Sequence, residues 1–234
     1  MTLTVQQTFD RNELNAAINQ IISWFPEYSD EVNQKREQLI DEILATPTLQ
    51  DIAEQKEFSN YSEDGLLLDS IKLPTNPCQQ GIIKVSFNAI AFVFSLLGLK
   101  ISFNDTIAKI IWYRISNLNL NQLLDAIQKF TEAKTAIQKA TALLAILAEL
   151  MALGIFKAIV IAIKDGMSAW GWIKLVASAT ALVTSWFVTG GAAFIVSAAS
   201  SILSAVELIE STIQAVAACI NNKCSLTSLQ PYLE

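Results

Sequence analysis

The sequence predicts an all-α protein: a multi-helix bundle of about seven to nine helices around a buried hydrophobic helical hairpin. Three observations carry this expectation. Apolar residues recur at i, i+3, i+4 and i+7 through most of the chain, which is the period of a helix with one buried face. No stretch shows sustained strand alternation, and no repeat at solenoid spacing is present. A run of 32 residues, Leu175 to Val206, lies between Lys174 and Glu207 without a charge and has to be hidden from water.

Taken in order, Leu14, Ala17, Ile18, Ile21, Ile22 and Phe25 predict a helix from Asn12 to Phe25, ended by Pro26. Ser29 or Asp30 is expected to cap a second helix with Val32, Leu39, Ile40, Ile43 and Leu44 on its apolar face. Pro47 suits the first turn of a short third helix reaching Phe58. From Ser59 to Pro77 the composition changes to that of a linker, with Leu66, Leu67 and Leu68 pinning it to the core.

Asn76 can cap a helix with Pro77 at its first position, running to Leu97 and apolar on almost every side. Asn104 or Asp105 begins the next, with Ile107, Ile110, Ile111, Trp112 and Ile115 inward and Lys109 and Arg114 outward. Leu120 to Lys164 is periodic throughout, but 45 residues of helix would be about 67 Å long, so a break is expected between Thr131 and Thr141 or at Gly154. The charge-free run then folds back on itself at Gly190-Gly191, and its second arm continues to Ile220.

Charge divides the chain. Residues 1–80 carry 14 acidic and 5 basic side chains, and the remaining 154 carry 8 and 11. Residues 1–75 are therefore read as an acidic amphipathic region packed on the core, 76–222 as an apolar core domain and 223–234 as a tail. Hydrophobic content of 52% against 16% charged residues is high for a water-soluble chain. Lysine and arginine form no cluster that could follow a phosphate backbone, so no nucleic-acid partner is expected. MTLTVQQTFDRNELN has neither the basic start nor the apolar stretch of a secretory signal. The chain is read as cytoplasmic when made, and either associated with a membrane afterwards or exported by a non-classical route.

The chain contains no histidine, which removes the commonest general base and metal ligand. No phosphate loop, zinc motif or calcium loop is found, and no cofactor, metal or catalytic residue is assigned. Of the 3 cysteines, Cys219 and Cys224 are close enough in sequence to bridge if the chain turns between them, leaving Cys78 over. Reduced thiols are the plainer reading.

Candidate functional residues therefore come from hydropathy. Of the charge-free run only 13 residues are large and apolar, among them Leu175, Leu182, Trp186, Phe187, Phe194, Ile195 and Ile202. At roughly 0.3–0.6 kcal/mol each they supply on the order of 5 kcal/mol toward bilayer insertion, reduced by the hydroxyl side chains among them. Insertion is marginal. Each arm about Gly190-Gly191 is about 22 Å long as a helix, short for a span and ordinary for a core helix.

Trp170 and Trp172, flanked by Lys164 and Lys174, match the aromatic and basic belt of a membrane interface, and match equally two tryptophans closing an apolar core. Glu149, alone among Leu143, Leu144, Ile146, Leu147, Leu150 and Met151, is the candidate protonation switch, its plainer role being to reach the bundle surface.

Over residues 80–220 this layout resembles that of channel-forming colicin domains and other α-helical pore formers. The resemblance lies in architecture only, so no residue role transfers. It implies a protein that is soluble when made and inserts its hydrophobic hairpin into a lipid membrane, as a pore former or toxin would, with a homo-oligomer forming there.

Two other readings fit the same composition. One is a permanent bundle holding a hydrophobic small molecule or a partner helix among Phe92, Phe94, Met151, Trp186 and Phe187. The other is a constitutive membrane protein, against which Lys84, Glu149 and Lys157 stand as charges within the candidate spans. An enzyme has no positive support.

Overall fold

The computed structural model describes residues 10–45, 68–116, 118–164, 167–189, 195 and 203–221. Among the described residues there are ten α-helices and no strand, so the all-α bundle stands.

Helix α1 (Arg11–Trp24) opens with a capping box: the Glu13 N–H donates to the Asp10 carboxylate at 2.8 Å, and the Asp10 N–H donates to the Glu13 carboxylate at 3.1 Å. Leu14, Ala17, Ile18 and Ile21 are buried, and Pro26 turns the chain at the expected place. The single helix expected next is two, α2 (Ser29–Gln34) and α3 (Arg36–Ala45), with Lys35 at φ −108° and ψ 16° between them. Ser29 is already helical instead of capping.

The break at Lys35 brings α3 back across α1. Arg11 pairs with Glu37 at 2.9 Å and with Asp41, and Arg36 donates to Asn15 at 3.2 Å. These exposed pairs orient the helices more than they stabilise them. The short helix expected from Pro47, and Leu66 and Leu67, lie outside the described residues. Leu68 is buried, as a pin should be.

Helix α4 (Pro77–Leu96) begins as read, with the Asn76 side chain accepting from the N–H groups of Cys78 and Gln79. Helix α5 (Asp105–Ile115) is capped by Asn104. Arg114, read as outward, is half-buried, and burial pushes its guanidinium below its ordinary pKa. The long periodic stretch breaks at both expected places. Helix α6 (Asn121–Glu132) ends before α7 (Ala136–Ala152), which starts with a Thr135/Gln138 capping box. Gly154, at φ 71°, separates α7 from α8 (Ile155–Ala162) with a bend of 73°.

The charge-free run supplies most of α9 (Ala169–Thr189), its expected turn at Gly190-Gly191 lies outside the described residues, and α10 (Leu203–Asn221) packs on α4 and α6 and not closely on α9. Splitting at Lys35 and Gly154 raises the helix number above the expected seven to nine. Helix α1 packs along α9, α5 on α8, α6 on α7, and α10 antiparallel along α4.

The α4–α10 seam is very close. A Cβ on Gly81 would meet the Cα of Ala215 at 2.4 Å, so the two backbones touch there. Seven residues along α4, Asn88 donates to the Ser211 hydroxyl at 3.0 Å and to the Glu207 carbonyl at 3.2 Å. At the other end Cys78 and Cys219 form a disulfide, with Cα atoms 4.6 Å apart. This corrects both sequence expectations for the cysteines. The pairing joins residues 141 apart, and local spacing carries no trace of such a contact.

Candidate functional site

The part of the apolar run that α9 carries is mostly buried. Leu175, Leu182 and Trp186 on α9 are buried, as is Ile195 beyond it. Phe187 differs: it is 43% exposed at the C-terminal end of α9. Gly190, Gly191, Phe194 and Ile202 lie outside the described residues.

What covers the start of α9 is the acidic N-terminal region, through aromatic rings and a few charges. Trp172 is the centre of that contact. Its ring is fully buried, with centroids 4.8 Å from Phe25 and 5.5 Å from Tyr28, and its Nε1–H donates to the Val160 carbonyl at 2.6 Å. Val160 lies in the last turn of α8, where carbonyls lack helical partners, so the indole closes that helix end. Lys164 Nζ stands 4.7 Å from the Tyr28 ring centroid and 5.4 Å from that of Trp172. Lys157 lies over Phe25 at 5.6 Å. Ammonium groups so placed attract the ring faces while their stems cover apolar surface.

One turn outward, Trp170 and Lys174 converge on Glu42 of α3. The Trp170 Nε1–H donates to the Glu42 carboxylate at 3.1 Å, the Lys174 ammonium pairs with the same oxygen, and the Gln38 amide donates to the other at 2.8 Å. Lys35 Nζ lies 5.1 Å from the centroid of the Trp170 ring. The Lys174 hydrogen bond, followed by those from Gln38 and Trp170, outweighs partial burial and holds the Glu42 carboxyl at about 2.

All four residues assigned to an interface belt, Trp170, Trp172, Lys164 and Lys174, are thus brought together, as the inner wall of a clasp. A membrane role for them requires the N-terminal helices to move away. Glu42 was not singled out in the sequence, where it is one acid on a solvated face. The available signal was the i, i+4 placement of Trp170 and Lys174, two donors on one face in want of an acceptor.

The clasp has a defined pH dependence. A carboxyl depressed when folded contributes its full stability above its unfolded pKa, near 4.5, and loses it as pH falls toward 2. Glu42→Gln should therefore lower stability at pH 7 by about 1–2 kcal/mol after solvent screening, and by much less near pH 2. Urea titration of both proteins at the two pH values measures the difference. An unchanged midpoint at pH 7 would remove Glu42 from the clasp.

Glu149, on α7, is half-buried. Of the residues suggested for a ligand pocket, Phe92, Phe94 and Trp186 are buried, with Phe92 and Trp186 centroids 6.3 Å apart, Met151 is half-buried and Phe187 faces solvent. Among the described residues no group of three or more His, Cys, Asp or Glu could hold a metal ion.

Among the described residues no single helix is long and apolar enough to cross a membrane, while α7 and α8 together meet that test as one span bent at Gly154. The chain matches no protein family, no curated protein and no solved structure.

Proposed function

We propose that this chain is a membrane-interacting α-helical protein, soluble when made, that inserts the hydrophobic hairpin of α9 and its second arm into a lipid bilayer, with α7–α8 following. The observation that carries the reading is the cover over α9. A 21-residue helix with buried, nearly charge-free walls is sheathed by an acidic region, and the contact concentrates at Trp172 and Glu42. Such a cover keeps apolar surface from water and can be removed as a unit.

Marginal insertion energy belongs to the same account, because a helix that entered lipid with a large gain would not stay packed in water. The 73° bend at Gly154 gives α7–α8 the shape of a broken span or re-entrant loop. Phe187, exposed near the C-terminal end of α9, is a first point of contact with lipid.

The test is dye release at pH 7 from anionic liposomes by detergent-free protein whose Cys78–Cys219 disulfide has been reduced. Glu42→Ala, which opens the clasp, should raise the initial rate several-fold, and joint replacement of Gly190 and Gly191 by Ala should change it. Protein that remains inert toward vesicles with the clasp opened would sink the proposal and leave the permanent bundle as the reading to pursue.

A further inference from the structure

We infer that the Cys78–Cys219 disulfide is a redox lock on the membrane-inserting hairpin: closed, it pins the end of the second arm to α4, and reduction by a dithiol releases it. The consequence for membranes rests on the function proposed above. The lock itself rests on the geometry of the α4–α10 seam.

Helix α10 is the far end of the hairpin proposed above, and in the structure it lies on α4 and α6, with α4 its closest partner. The seam is held by backbone contact at Gly81 and Ala215, by the Asn88 bonds to Ser211 and Glu207, and by the disulfide at the last turn of α10. The first two are noncovalent and yield together once the helices part. The disulfide does not. It closes a loop containing α5 to α9, so the hairpin cannot leave α4 while the bond is intact.

The outer side of α10 shows where the helix can go. Val206, Ile213 and Ile220 recur every seven residues and are 51%, 55% and 71% exposed. The opposite side buries Leu208, Ser211, Thr212 and Ala215 against the bundle. A helix with an apolar stripe facing water and a small-residue face against its neighbour sheds little hydration on entering lipid.

The bond is also placed for directional opening. Cys78 is fully buried and Cys219 is half-buried, so an incoming thiolate reaches the Cys219 Sγ. The sulfur–sulfur bond breaks and Cys78 leaves as a thiolate. It lies in the first turn of α4, where the helix N-terminus favours negative charge and makes it the better leaving group. The second thiol of the dithiol then displaces Cys219 from the mixed disulfide. The protein gains two electrons and two protons as two thiols, and the reductant leaves as its cyclic disulfide.

The experiment uses the full chain with Cys224→Ser, which prevents exchange with the third cysteine. Oxidised and dithiothreitol-treated proteins are compared for amide exchange over residues 203–221 without lipid and for dye release from anionic liposomes, with circular dichroism confirming retained helix. Reduction is expected to speed exchange over 203–221 by tenfold or more and to raise release several-fold. The Cys78→Ser/Cys219→Ser variant should match the reduced protein and ignore dithiothreitol.

Equal exchange in the oxidised and reduced proteins would overturn the lock, whatever the vesicles do. Equal release from vesicles that both forms permeabilise would overturn it as well. Faster exchange with no release from either form upholds the lock and defeats the membrane reading, so the two fail separately.

Discussion

Trp172→Ala is expected to lower the melting temperature by about 10–15 °C and to make residues 11–45 sensitive to protease. Removing a buried indole costs about 3–5 kcal/mol through lost transfer energy and the cavity left behind. At this site the loss spreads in two directions. The Val160 carbonyl at the end of α8 loses its donor, and Phe25, Tyr28 and Lys164 lose the ring they pack on. Differential scanning calorimetry with limited trypsin digestion reads both effects. A shift below about 3 °C with residues 11–45 still resistant would mean that Trp172 is not what seats the N-terminal helices.

Gly81→Ala should destabilise the protein by about 2–4 kcal/mol, although the same change in an ordinary helix interior gains up to about 1 kcal/mol. The sign reverses because the new Cβ meets the Ala215 Cα at 2.4 Å and its Cβ at 2.6 Å. No rotamer change moves a Cα, so the helices must separate. Ala215→Gly in the same chain removes the Cβ contact and should return part of the loss, whereas alone it should only destabilise. Urea denaturation of the two single variants and the double gives the coupling directly. Additive losses would mean that the close approach at this point is not energetically important.

Much of the fold could be read from local signals. Asn76 before Pro77, Asn104 before Asp105 and Gly154 in an overlong periodic stretch each mark a helix end through the chemistry of the residue itself, and each end lies there. The division at Lys35 left no such mark. That residue is neither glycine nor proline, and the break accompanies the turning back of α3, which buries Leu39, Ile40 and Ile43 and sets Glu37 and Asp41 beside Arg11.

The site was legible as a set of residues and illegible as an arrangement. Hydropathy singled out Trp170, Trp172, Lys164 and Lys174 together, and they do meet, but it could not say whether their partner was lipid headgroups or Glu42, Phe25 and Tyr28. Contact between residues some 130 apart, such as Glu42 with Trp170, is encoded in the whole packing and in no local pattern. Cys78 and Cys219 fall under the same limit.

These features converge on one mechanical picture: an apolar helix, α9, covered at its start by α1–α3, and a helix α10 fastened at its end to α4. The most direct test is amide hydrogen exchange of the reduced protein, free in solution and bound to anionic liposomes. Departure of the cover predicts that residues 11–45 lose protection on binding while 136–162 and 169–189 keep or gain it. Identical exchange in the two states, with residues 11–45 still protected on the vesicle surface, would contradict the account and leave α9 as the permanent centre of a closed bundle.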